Sequence, residues 1–307
     1  MNLQKIIRGA AMTMQNSLPE RACLNNPLRL RWFSIRRLSV LGALLHVAIL
    51  GTASAELSAE EAEAMRKAQD PLADVRAIMT DNTIGYESAS GQPLYNFQAQ
   101  PVYSFNKHGF NFIARGMIPF IGNPAGSGPV GLPQQFTGGG GNRLAWGLSD
   151  IILQGFIVPE TGGSIKYGFG PQVSLRTRTD NAVAGPGWGG GLAACVFSSA
   201  GPLSYGGLAA QHWGQDDFTR SSLQPIVLYN TDLFGGSYFG YNNSVVYDWS
   251  AGSDEAWLVP AGLTAGKTFI LDSGYMVDVS IGAYYLAVAP GGQPDLQFKF
   301  GVSLFFP

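Results

Sequence analysis

The C-terminal segment alternates with a strict period of two. Leu296, Phe298, Phe300, Val302, Leu304 and Phe306 interleave with Gln297, Lys299, Gly301 and Ser303. Neighbouring side chains of a strand point to opposite faces, so this stretch builds one apolar wall and one polar wall. The same pattern recurs upstream. Phe97, Ala99, Pro101, Tyr103 and Phe105 oppose Asn96, Gln98, Gln100 and Ser104, and Phe110, Phe112, Ala114, Ile118 and Phe120 oppose Asn111 and Arg115. Tyr167, Phe169, Val173 and Leu175 alternate with Lys166, Gln172, Ser174 and Arg176. Tyr241, Val245, Tyr247 and Trp249 alternate with Asn242, Ser244 and Asp248, and Val277, Val279 and Ile281 with Asp278 and Ser280.

Alternation alone also fits a soluble sandwich with one wet face. Length decides against it. Soluble strands usually run to about 5–6 residues, whereas crossing a bilayer at a tilt takes about 9–11, and several of these segments reach that length. Their apolar faces carry aromatics near the ends and smaller residues between, as two interfacial girdles require. Composition agrees: 13% of residues are charged, 12% are aromatic and 41 are glycine. Alternating segments lie near 82–90, 95–105, 109–120, 144–158, 164–177, 189–199, 202–213, 221–231, 237–250, 256–269, 274–289 and 295–306. The expected fold is all-β, an antiparallel transmembrane β-barrel of about 12 strands over residues 82–307. Short connections such as 106–108 and long Gly/Pro-rich ones such as 122–141 suit periplasmic turns and extracellular loops. The glycine run at 138–141 lacks the helix with Lys-Ser/Thr that a phosphate cradle needs.

Residues 1–55 read as a leader. Arg36-Arg37 precedes the apolar stretch 38–52, and Ala53-Ser54-Ala55 supplies a small-residue cleavage site, the pattern of a secretory signal. The leader removes seven of 19 basic residues and one of 21 acids, leaving a net charge of −8. That charge disfavours nucleic acid as a partner, which needs basic patches. Cys195 is then the lone cysteine, so neither a disulfide nor a cysteine metal site is expected.

Residues 56–81 differ in kind. ELSAEEAEAMRKAQDPLADV is rich in Ala and Glu, and Ser58 with Glu61 forms a capping box. The spacing of Leu57, Ala64, Met65 and Ala68 predicts a short periplasmic helix ending near Asp70-Pro71. It reads first as a solvated N-terminal tail, with a plug or docking element as the other reading.

Several phrases, in order, resemble a family of proteobacterial outer-membrane proteins. They include PLADV (71–75), DNTIGY (81–86), FQAQPVYSF (97–105), FNFIARGMIPFIGNP (110–124), WGLSDIILQGFIVPE (146–160), YGGLAAQHWGQDD (205–217) and the terminal LFFP. The chain is similar to the transporter family grouped with the phenol meta-pathway outer-membrane proteins, often labelled "neuromedin U". The resemblance implies a Gram-negative outer-membrane barrel that moves small hydrophobic or aromatic molecules.

The polar inward set carries the functional expectation: Gln98, Gln100, Arg115, Asp150, Lys166, Gln172, Arg176, Gln224, Asp248, Asp278 and Lys299 line any pathway. The strand holding Asp150 is apolar on both faces, so its parity is open. Charges inside a barrel must pair or meet water, so the set fits a filled, salt-bridged interior as well as a selective one. The leading function is a passive channel for small molecules, not an enzyme, with no cofactor and no metal. Its expected partners are outer-membrane lipid, the barrel-insertion machinery and small-molecule solutes. The alternatives are a sealed structural barrel and a barrel enzyme acting on lipid, with His212 as base near Asp216 and Asp217. No serine sits in a nucleophile-elbow context, and His108 reads as a turn residue.

Overall fold

The computed structural model describes residues 58–86, 93–124, 144–271, 274–291 and 293–307. The expected leader and the glycine run at 138–141 lie outside the described residues. A helix, α1 (Ala59–Gln69), precedes β1 (Arg76–Tyr86), β2 (Leu94–Lys107), β3 (Phe110–Pro124), β4 (Leu144–Leu148), β5 (Ile151–Pro159) and β6 (Ile165–Leu175). A single 3-10 turn, Asn181–Val183, leads into β7 (Gly189–Ala200), β8 (Leu203–Trp213), β9 (Thr219–Thr231), β10 (Ser237–Asn242) and β11 (Val245–Asp248). The chain ends with β12 (Trp257–Ile270), β13 (Met276–Val288) and β14 (Leu296–Phe306).

Neighbours pair antiparallel throughout, and β1 pairs with β14 to close the ring. Two staves are broken once each. β4 and β5 both pair with β3, on either side of Ser149-Asp150, and β10 and β11 both pair with β9 and β12, on either side of Asn243-Ser244. The result is a closed antiparallel barrel of 12 staves. Closure leaves no unpaired edge, which is what a sheet surrounded by lipid requires. Among the described residues no helix is long and apolar enough to cross a membrane; that says nothing of crossing by strands.

The outer face carries the apolar set expected from the alternation. Tyr103, Phe105, Phe110, Tyr167 and Tyr229 gather toward one rim, and Tyr86, Phe120, Trp146, Trp213 and Trp257 toward the other, with Leu153, Val173, Leu192 and Leu223 between, all exposed. The β2–β3 hairpin turns on His108 and Gly109, both at positive φ (54° and 77°), while Lys107 pairs with Phe110. Two-residue hairpin loops demand that backbone.

Three prolines stand on the outer face inside strands, each opposite a glycine. Pro225 pairs with Gly207. Register sets Pro101 opposite Gly116 and Pro171 opposite Gly155, and both ladders are interrupted there. A proline has no N–H to give to a ladder. A Cβ on Gly116 would lie 3.2 Å from the Pro101 ring, so glycine makes room for it.

One strand departs from expectation. β1 spans Arg76–Tyr86, starting before residue 82. Its outward positions include Thr80 and Asn82, which blur the alternation. Both satisfy themselves on neighbouring groups: Thr80 Oγ1 accepts from Val302 N at 2.9 Å and donates to Val302 O at 3.0 Å, and Asn82 Oδ1 accepts from Gln98 N at 3.3 Å. The β1–β14 pairing has a gap between Ile78↔Leu304 and Asn82↔Phe300, and the Thr80 side chain bridges it.

Candidate functional site

The lumen is occupied. Ser58 caps α1, its Oγ accepting from Glu61 N at 3.2 Å, while Glu61 Oε2 accepts from Ser58 N at 2.9 Å. These bonds hold the Glu61 carboxyl below its usual range. Its Met65 is buried among Phe197, Ile226, Leu228 and Tyr238, side chains on the inner faces of β7, β9 and β10. The segment therefore packs into the barrel, which corrects the reading of a solvated tail. Beyond the helix, Leu72 is 1% exposed in a cluster with Ile113, Phe156, Val158, Ala193, Cys195 and Leu208. Gly168 makes this approach possible: a Cβ there would lie 2.8 Å from Val158 Cγ2 and 3.2 Å from Leu72 Cδ2.

Polar tethers surround these contacts. Arg66 Nη2 donates to Gly201 O at 3.0 Å, Gln69 Nε2 to Asn230 Oδ1 at 2.7 Å and Lys166 Nζ to Asp70 Oδ2 at 2.6 Å. Asp74 accepts from Ser104 Oγ and from Asn106 Nδ2, each at 2.6 Å. Gly201 lies in the β7–β8 turn, Asn106 stands beside the β2–β3 turn and Lys166 at the start of β6, all at the end where Arg76 pairs with Phe306. The plug therefore fills the terminal end of the barrel, where the chain enters and leaves.

Next to the plug is a cavity of about 150 Å³. Five expected residues line it: Gln100, Arg115, Gln224, Asp278 and Lys299. Arg115 Nε donates to Gln100 Oε1 at 3.1 Å and Nη2 reaches the same oxygen, while Gln100 Nε2 donates to Gln98 Oε1. Lys299 Nζ lies 3.3 Å from Asp81 Oδ1 and 3.4 Å from Asn242 O. Asp278 accepts from Tyr238 Oη and Thr268 Oγ1, both at 2.8 Å, and Gln224 Nε2 donates to Asn242 Oδ1 at 2.7 Å. The lining is also apolar in part, with Ile113 beside Arg115 on β3, Ile226 and Leu228 beyond Gln224 on β9, and Phe156 and Leu208 between. The lining also reaches Thr80 and Phe300 at the β1–β14 gap.

The other expected residues are elsewhere. Gln98 and Gln172 face inward and are buried, Gln172 accepting from Gln154 Nε2 at 3.0 Å. Lys166 stands at the terminal mouth, its side chain 48% exposed on Asp70. Arg176 follows the end of β6 and is exposed in the loop, because the strand stops at Leu175. Asp150 falls in the break between β4 and β5, off the cavity wall. Its Oδ2 accepts from Gly185 N at 3.0 Å and Gly187 N at 2.7 Å and lies 3.2 Å from Arg178 Nη2. Asp248 pairs with Arg220 at 2.7 Å, near the same far end. None of these four lines the cavity; Lys166 and Asp248 keep the inward parity expected of them, while Asp150 and Arg176 lie outside the strands. Their alternation is right or undecidable, but distance along the stave puts them at the rims.

His212 is fully buried, with Nε2 2.9 Å from Ser174 Oγ. Among the described residues its Nδ1 has no hydrogen-bond partner. A nucleophile–base pair needs a third group to orient the base and access to substrate; this pair has neither.

Sequence reasoning missed Gln69, Asp70, Leu72, Asp81 and Tyr238. One signal was present: Ile113, Phe156, Phe197 and Leu208 are apolar at inward parity, which a water-filled lumen does not explain and a docked segment does.

No family model matches this chain, and no curated protein matches it in sequence. Among solved structures, an outer-membrane channel from Pseudomonas putida F1 is similar with a TM-score of 0.53 at 13% identity, over 78% of this chain and 98% of that one. The barrel has the fold of an outer-membrane channel. At that identity the likeness concerns the fold, and the narrower phenol meta-pathway grouping rests on the sequence phrases alone.

Proposed function

We propose that the protein is a passive channel in the outer membrane of a Gram-negative bacterium, closed at rest by α1 and residues 70–75. The passage takes small hydrophobic or aromatic molecules and uses no cofactor and no covalent step. The terminal end faces the periplasm, as it does in even-stranded barrels with short periplasmic turns. The observation that carries this reading is the plug itself. It fills the lumen without contributing a strand to the ring, so it can move while the barrel stays closed. A cavity next to it with both polar and apolar lining suits a small, mainly apolar solute.

Swelling of proteoliposomes in neutral solutes of graded size and polarity tests the reading. Small apolar solutes should enter faster than sugars of similar size. Equal impermeability to all would make the barrel a sealed structural one. In the same vesicles, His212→Ala should leave entry unchanged and expose no lost lipid hydrolysis; a loss of hydrolysis would instead favour the enzyme.

A further inference from the structure

We infer that Arg115 anchors the carboxylate of a small monocarboxylate whose apolar body lies against the apolar part of the cavity lining. The inference rests on the channel reading and names the substrate class of the same site. Guanidinium carries five N–H donors. Two of the five go to a single neutral acceptor, Gln100 Oε1, whose orientation Gln98 fixes by taking the Gln100 amide hydrogen. Among the described residues no carboxylate lies within 4.0 Å of Arg115.

Two carboxylates along the wall are matched by cations, and a third is held by hydroxyls. Asp81, the carboxylate whose field reaches Arg115, is paired with Lys299. Asp70 is paired with Lys166. Asp278 is held by the hydroxyls of Tyr238 and Thr268, close to the β12–β13 turn. Arg115 is thus a cation lining the cavity whose hydrogen-bond partner among the described residues is the neutral Gln100. A buried charge of this kind calls for a counter-charge, and the fork geometry of arginine fits a planar carboxylate with two parallel bonds.

The rest of the cavity sets the body of the ligand. Ile113, Phe156 and Leu208 supply the apolar side. A void of about 150 Å³ lined by such residues takes one benzene ring, the volume found here. A single ring or a short aliphatic chain fits beside the head group; a sugar or a long acyl chain does not.

Titration calorimetry of the detergent-solubilised full chain with benzoate and with benzyl alcohol tests this. The two probes share a ring and differ in the carboxylate. Benzoate should bind at least ten-fold more tightly, and Arg115→Gln should abolish that preference. Arg115→Lys, which keeps the charge and loses the fork, should retain part of it. Equal binding of the two probes by the unmodified chain overturns the inference with no need of a variant. Failure here with rapid entry of neutral solutes into proteoliposomes would leave the channel reading standing. Benzoate binding without entry of any solute would sink the channel reading and leave the site.

Discussion

The two ends of the barrel are held together in different ways. At the terminal end the stopper is a separate segment, and its contacts are a buried apolar patch around Leu72 and Met65 ringed by partly exposed polar tethers. At the far end the described contacts join the staves to one another and to their loops. Asp150 gathers Gly185, Gly187 and Arg178, Arg220 pairs with Asp248, and His212 meets Ser174. The ion pairs there are well buried, with side-chain exposures of 0% and 11% for Asp150 and Arg178, against 48% for Lys166 at the other end. The difference separates a part built to hold from a part able to leave. Undoing the far end breaks the scaffold, whereas undoing the terminal end frees the lumen.

The comparison breaks most sharply at Asp150. Asp150→Ala strands the Arg178 guanidinium and the backbone N–H groups of Arg178, Gly185 and Gly187 in a buried site, where loss of one partner costs about 3–5 kcal/mol. Urea unfolding from vesicles, followed by tryptophan fluorescence, should show that loss with little change in permeability. Leu72→Ala should act in the opposite way. Truncating a buried leucine costs about 2–5 kcal/mol, here charged to docking of the plug, so solute entry should rise while the unfolding midpoint of the barrel stays nearly fixed. A fall in that midpoint equal to the Asp150 variant would erase the distinction between the ends.

Thiol labelling sharpens the account of inside and outside. In a Cys195→Ser background, Arg115→Cys should react with a small water-soluble reagent, and faster once Leu72 is also truncated. Ile118→Cys, on the outward face of β3, should stay unreactive in vesicles in either case. Reversed reactivity would mean that the two faces are misassigned.

The smallest effects belong to the rim of the plug. Ser58→Ala should weaken α1 by about 1 kcal/mol, the usual worth of an N-cap. Because the Glu61 carboxyl is held below its usual range by Ser58, the cap is complete above the ordinary carboxylate range and is lost as pH falls below it. Protection of the α1 amides from hydrogen exchange should decline in that direction and be flat at neutral pH. Asp70→Asn should shift solute entry by less than Leu72→Ala, since a pair with a half-exposed lysine is worth about 1 kcal/mol or less.

What could be read from sequence follows from which solvent each face meets. Lipid is uniform, so β2 and β14 need an apolar residue at nearly every outward position, and their alternation gives both the strand and its sidedness. β1 was partly hidden because Thr80 and Asn82 occupy outward positions and spend their polarity on the neighbouring strands. The inward face meets two environments, water and α1. Arg115 and Lys299 could be assigned by parity, but Lys166, Asp150, Arg176 and Asp248 needed their height along the stave, which parity does not carry. The tethers of the plug, such as Gln69 to Asn230 and Asp70 to Lys166, join positions far apart in the chain. No local pattern marks them. Only the apolar inward residues Ile113, Phe156 and Phe197 signalled that something solid fills the lumen.

Single-channel recording of the full chain beside a chain lacking residues 58–75, in the same planar bilayer, tests the central claim most directly. Both should fold into barrels that show heat-modifiable migration on gels. The full chain should show small or rare openings, and the shortened chain a steady conductance at least ten-fold larger. Equal conductance from the two folded barrels would contradict the account, because the segment inside the lumen would then not be what closes it.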